Sequence, residues 1–234
     1  MKHRRPGDVV VDGRRLVADL IRWGVPIHEL YLTADLANET EMVSWAERAT
    51  VAFELESTVL ADIAPTRSPQ GVLAVAEEPK QTQWTADKGV GLWLDRVQEP
   101  GNLGAIVRAA AGLGAAAIML SPDCTDPFGP AAVRGSAGAV FRIPLERGIS
   151  ADKAVERLRS VGGEVWASGA GGRPLENWRS TQPCLILLGA EGAGLSPESF
   201  DLADGTVTIP MNSDIESLNV AVATGILLQH LRGN

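Results

Sequence analysis

The chain has 234 residues, 45% of them hydrophobic, and a formal net charge of −8, which suits one large domain or two small ones with a real core. No apolar run approaches the ~18 residues of a membrane span, and the basic start Met1-Lys2-His3-Arg4-Arg5 leads into a strand-like segment instead of the apolar stretch of a secretion signal, so a cytoplasmic protein without membrane attachment is expected. Cys124 and Cys184, the two cysteines, have no partners at metal-ligand spacing and read as buried free thiols, and no metal site is expected.

Residues 9–78 alternate short apolar runs with an amphipathic segment, Leu16-Val17-Ala18-Asp19-Leu20-Ile21-Arg22-Trp23, whose apolar positions recur at helical spacing. This predicts a small α/β unit over residues 1–79. The sequence then turns polar and loses periodicity (Lys80-Gln81-Thr82-Gln83-Trp84-Thr85), which reads as an interdomain linker over 80–88. Within 89–234, strand-length apolar runs at 90–94, 116–120, 140–144, 164–167, 185–188 and 206–209 alternate with helical patterns at 103–113, near 130–137, at 151–161 and at 216–231. Such an order predicts a parallel sheet covered by helices on both faces.

Three segments of this second unit depart from a purely structural design. In Leu94-Asp95-Arg96-Val97-Gln98-Glu99-Pro100-Gly101-Asn102 a buried strand ends at residues that cannot continue it, and Asn102 is suited to cap the helix that follows. A strand end meeting a helix N-terminus is where open α/β sheets bind ligands. Arg108 lies under two helical turns further on, amid Leu, Ala, Ile, Val and Gly, and such a setting asks for a reason beyond solvation. The second segment, Leu188-Gly189-Ala190-Glu191-Gly192-Ala193-Gly194-Leu195, lets backbone approach a ligand closely and places one carboxylate, Glu191, at a tight turn from which it could orient Arg108. Ile209-Pro210-Met211 forms the third, leading into Glu216-Ser217-Leu218-Asn219 at the start of the last helix. Ser and Asn there are also ordinary capping residues.

In order and spacing these three segments resemble the motifs of the SpoU/TrmH family of RNA ribose 2′-O-methyltransferases. Val10-Val11-Asp12-Gly13-Arg14-Arg15-Leu16-Val17 and Thr66-Arg67-Ser68-Pro69-Gln70-Gly71-Val72-Leu73-Ala74-Val75 are similar to that family's N-terminal substrate-binding domain, so nearly the whole chain is covered. The resemblance implies an α/β catalytic domain with a parallel sheet and a C-terminal trefoil knot, an exception to the rule against knots, preceded by a small α/β domain. It further implies S-adenosylmethionine as cofactor with no metal, RNA as substrate, most readily a guanosine of 23S rRNA, and a homodimer. By the same likeness Arg108, Asn102, Glu191, Ser217 and Asn219 are catalytic, and Gly189, Ile209, Leu218, Met211, Leu188 and Gly194 bind the cofactor. The family's proposed mechanism makes the arginine a general base, whereas a guanidinium stays protonated near neutrality and is better suited to gripping phosphate and stabilising developing negative charge. Glu99 stands where the family usually has Asp.

Other readings exist. A tRNA ribose methyltransferase or an rRNA-methylating antibiotic-resistance enzyme would share the same motifs, and a non-catalytic RNA-binding protein could use the same scaffold. A dinucleotide-binding oxidoreductase would need a GxGxxG turn followed by a ribose-binding acid, and that arrangement is missing. The acid excess argues against RNA only if charge is evenly spread, and Lys2, His3, Arg4, Arg5, Arg14 and Arg15, with Arg134, Arg142 and Arg147, concentrate basic residues.

Overall fold

The computed structural model describes residues 5–180, 183–212 and 217–232. The first unit is a four-stranded sheet of β1 (Asp8–Asp12), β2 (Ile27–Thr33), β3 (Ala49–Leu55) and β4 (Val72–Glu77), in the order β1-β4-β2-β3. Strand β4 runs antiparallel to both neighbours and β3 runs parallel to β2. Its helices are α1 (Arg14–Arg22), α2 (Ala34–Ala37), α3 (Thr40–Ala46) and α4 (Ser57–Ile63). The periodicity of α1 works as expected, with Val17 and Leu20 wholly buried and Arg15 turned to solvent.

The second unit is a six-stranded sheet, wholly parallel, ordered β10-β8-β9-β5-β6-β7, from β5 (Val90–Asp95), β6 (Ala117–Leu120), β7 (Leu145–Glu146), β8 (Glu164–Pro174), β9 (Cys184–Gly189) and β10 (Gly205–Thr208). Helices α5 (Pro100–Leu113), α6 (Pro130–Gly135), α7 (Ala151–Arg159), α8 (Pro197–Phe200) and α9 (Val220–Arg232) complete it. Alternate residues of the central strands face opposite layers. Leu92, Leu94, Ile186 and Leu188 share a core with Ile106 and Val107 of α5 and Leu227 and Leu228 of α9, while Trp93, Met119, Leu185 and Leu187 pack with Ala154, Val155 and Leu158 of α7. Both faces are therefore covered, which is why β5 and β9 read as unbroken apolar runs.

Three local expectations need correction. The apolar run 140–144 is not a strand: Gly138 sits at φ +80°, residues Ala139–Phe141 form a single 3-10 turn, and only Leu145–Glu146 pair with β6. Val140 is buried by that turn instead of by a ladder. Helix α5 starts at Pro100, and its first turn is capped by Glu99, whose Oε1 accepts the N–H of Gly101 at 3.4 Å; Asn102 is thereby released from capping. The expected start of the last helix at Glu216 lies outside the described residues, and α9 begins at Val220.

The polar segment 80–88 has no regular structure, yet it is not free of the core. Trp84 is 6% exposed, packs beside Gly91 and donates its backbone N–H to Glu146 at 2.9 Å. The two units also touch directly. Leu16 of α1 and Trp23 at its C-terminal end close on Gly138, the Arg142 guanidinium lies 5.4 Å from the Trp23 ring centroid, and Arg147 pairs with Glu78 and, at 3.5 Å, with Asp126. Arg14 pairs with Glu39 and Glu41 at 2.8 and 2.5 Å. Several of the basic residues noted in the sequence are thus structural, while Lys2, His3 and Arg4 lie outside the described residues. Cys124 is half-buried and Cys184 buried, both as free thiols. Among the described residues no helix is long and apolar enough to cross a membrane.

Candidate active site

The C-terminal ends of β5 and β9 lie side by side, with Asp95 paired to Gly189. Beyond Gly189 the chain folds back so tightly that Ala190 and Gly194 form an isolated bridge, and a Cβ at Gly189 would stand 2.0 Å from the carbonyl carbon of Gly194. Only glycine can occupy that position. The resulting turn forms one wall of a cleft of about 480 Å³, within the range of small-molecule sites.

A second wall comes from β8 and β10. Their register jumps between Thr206, opposite Ala167, and Val207, opposite Arg173, so residues 168–172 bulge out of the ladder and Ser168, Gly169 and Ala170 line the cleft. Thr208 pins this bulge: its hydroxyl accepts the N–H of Gly172 and donates to the carbonyl of Gly169, each at 2.7 Å. Nothing in the local sequence singles out Thr208. The third wall is the segment after β10, where Ile209, Met211, Ser217 and Leu218 face the cleft.

Apolar Leu188, Ile209, Met211 and Leu218 are thus brought around exposed backbone of Gly189, Glu191 and Gly194. Leu188 is buried, Ile209 and Leu218 are half-buried, and Met211 is 40% exposed. An apolar slot edged by closely approaching glycine backbone fits the flat adenine of an adenosyl cofactor. Every cofactor-binding residue expected from sequence lines this one cleft.

The polar residues meet at its lip. Asn219 donates its side-chain amide to Asn102 Oδ1 at 2.9 Å and to Glu191 Oε1, and its own Oδ1 accepts the N–H groups of Ala221 and Val222 at 3.0 and 3.4 Å. One side chain therefore caps α9 and ties α5 to the glycine turn. Ser217 lies exposed nearby in the cleft wall. Arg108 is not part of this cluster. It is exposed on α5 and makes no hydrogen bond or ion pair to another described residue, so the expected pairing with Glu191 is absent and Glu191 engages Asn219 instead. Helical geometry explains the separation, since residues six apart on an α-helix lie about 120° apart around its axis.

Two residues that sequence reading passed over, Asp95 and Arg96, support the glycine turn. The Asp95 carboxylate is 4% exposed and accepts the backbone N–H of Ser196 at 2.8 Å. Cys124, near this strand end, donates to the Leu94 carbonyl at 3.3 Å, and burial pushes its thiol above the usual cysteine range. It is not a poised nucleophile.

Residues 89–229 match the SpoU rRNA Methylase family, and residues 2–74 match an MRM3-like substrate binding domain. The chain is 30% identical to the 23S rRNA (guanosine(2553)-2'-O)-methyltransferase RlmP of Bacillus subtilis, over 96% of this chain and 88% of that one. It is 31% identical to the 23S rRNA (uridine(2479)-2'-O)-methyltransferase of Streptomyces viridochromogenes, over 99% and 85%. Among solved structures it is similar to the SpoU methyltransferase AviRb of Streptomyces viridochromogenes in complex with AdoMet, with a TM-score of 0.87, 28% identity and coverage of 98% and 91%. The AdoMet-bound rRNA methyltransferase of Sinorhizobium meliloti gives a TM-score of 0.84 at 30% identity, over 97% and 88%.

Proposed function

The chain belongs to the SpoU rRNA Methylase family, and from that premise we propose that it methylates a ribose 2′-hydroxyl of 23S rRNA, at a guanosine, using S-adenosylmethionine. The observation that carries this reading is the cleft at the ends of β5 and β9, in which an apolar slot adjoins the Asn102–Asn219–Glu191 cluster. Relatives of nearly equal identity act on guanosine in one case and uridine in the other, so the base rests on the first and the RNA on both.

When bound, the cofactor supplies an electrophilic methyl group on a sulfonium. Leu188, Gly189, Gly194, Ile209, Met211 and Leu218 would hold it. What remains for the protein is to place a weak nucleophile in line and ease loss of its proton. Asn102, held by Asn219, and Ser217 offer neutral donors and acceptors for a ribose, and Glu191, already accepting from Asn219, keeps acceptor capacity for a donor on the bound molecules. Arg108, exposed and without a described partner, is available to a phosphate, where its planar fork binds two oxygens and offsets charge developing on the ribose oxygen.

Residues 1–79 serve in this reading as the RNA-binding unit, 80–88 as linker and 89–234 as the catalytic unit with its C-terminal trefoil knot. Residues 213–216 of the C-terminal stretch lie outside the described residues. A homodimer in the cytoplasm completes the proposal. Helix α9 supports the dimer, because Val222 is 51% exposed on a helix whose Leu227, Leu228 and Leu231 are already buried.

Mapping 2′-O-methyl marks in 23S rRNA from cells with and without the protein tests the reading. A single guanosine mark that disappears on deletion is expected. Unchanged marks, together with no titration heat from S-adenosylmethionine, would sink it.

A further inference from the structure

Arg96 joins the strand end of the first motif to the glycine turn of the second. Its Nε donates to Asp95 Oδ1 at 3.1 Å and its Nη2 to Asp95 Oδ2 at 3.2 Å; the same Nη2 reaches the carbonyl oxygen of Gly194 at 3.3 Å. Asp95 Oδ2 also accepts the N–H of Ser196. One ion pair rooted in β5 therefore grips the chain on both sides of Leu195, at a carbonyl and at an amide. Asp95 is nearly enclosed while Arg96 is 38% exposed along its side chain, so the pair is fixed at one end and open at the other.

The backbone of Arg96 is unusual as well. Its φ is +54°, in the left-handed region where a non-glycine residue is strained, and its N–H is held by Ser121 Oγ at 3.0 Å. Glycine would satisfy that backbone at lower cost. An arginine there spends backbone strain to place a side chain, and the side chain ends on the turn that walls the cleft.

We propose that Arg96 is a positioning residue for the cofactor: without touching it, Arg96 fixes the 192–196 segment in the shape that the cleft requires. This rests on the assignment of the cleft to S-adenosylmethionine. The effect is expected in affinity and KM for the cofactor, with kcat little changed, because the Asn102–Asn219–Glu191 cluster is not in contact with Arg96.

The full chain and its Arg96→Gly and Arg96→Lys variants are compared by thermal melting, calorimetric titration with S-adenosylmethionine, steady-state kinetics and hydrogen exchange without cofactor. In Arg96→Gly the melting temperature should fall modestly, relief of the strained backbone offsetting only part of the loss of the ion pair to enclosed Asp95, while exchange over residues 192–196 quickens and cofactor Kd and KM rise roughly five- to ten-fold. Arg96→Lys keeps the charge but cannot span both partners, and falls between. Wild-type affinity and wild-type exchange in Arg96→Gly would overturn the inference alone. Failure of the unaltered protein to bind S-adenosylmethionine would overturn the reading of the cleft and, with it, the cofactor role of Arg96.

Discussion

Asn219 reaches Asn102 at 2.9 Å across 117 residues of sequence, and it does so with the one end of its amide that the helix cap leaves unused. The carbonyl end is committed to α9. Its donor end is therefore oriented by the helix itself, toward Asn102 and Glu191, with no further support.

That division makes Asn219→Asp an informative change. Aspartate is as good an N-cap as asparagine, so thermal stability should stay within about 1 kcal/mol of the parent. The donor is lost and a second carboxylate faces Glu191, so methyl transfer should fall by roughly ten- to a hundred-fold. Equal turnover in a folded variant would remove Asn219 from the site.

Arg108→Ala should abolish methyl transfer with cofactor affinity unchanged, since Arg108 stands outside the cleft proposed to hold the cofactor. Arg108→Lys should fail too, because a point charge does not replace the planar fork. Paired calorimetry and single-turnover assays check both halves, and near-normal turnover in either variant would refute the assignment.

Thr208→Val keeps shape but removes the hydroxyl that binds Gly169 and Gly172. Two backbone groups lose their partner, at a cost of about 1–2 kcal/mol, and the bulge should loosen enough to weaken S-adenosylmethionine binding several-fold. Thr208→Ser should restore most of it. If valine binds the cofactor as well as threonine does, the bulge does not shape the cleft.

Cys184 gives a pH signature. Burial pushes its thiol up to about 11, well above the ordinary cysteine value near 9. The stabilisation is complete below pH 9, where folded and unfolded chains both hold the proton. Above that the unfolded chain ionises first, and stability falls as pH rises toward 11, by at most about 2–3 kcal/mol. Denaturant melts across pH 8–11, compared with Cys184→Ala, should show a shallower decline in the variant. At pH 8 a thiol reagent should label Cys184 only on unfolding.

Much of this was legible in the sequence because it is local. Strand runs such as Leu185-Ile186-Leu187-Leu188, the glycine turn and the amphipathic α1 each declare themselves within a few residues. The misread run 140–144 shows the limit, since apolar residues buried by a 3-10 turn look like a strand until the conformation of Gly138 is known. The sequence offers Asn102 as the cap of α5, but that role belongs to Glu99, a choice set by where α5 starts. Asp95, Arg96 and Thr208 gave no local signal at all, because what they do depends on partners that only the assembled sheet supplies.

The strand order carries a kinetic consequence. Strand β5 gains its neighbour β9 only after β6, β7 and β8 have been passed over, and the lip of the cleft closes only when Asn219 arrives beside Asn102. Loops of that length must be closed before any contact offsets their entropy, which slows folding. On dilution from denaturant, helical signal should return first and cofactor binding later, so the enzyme's own ligand reports the final step of its folding.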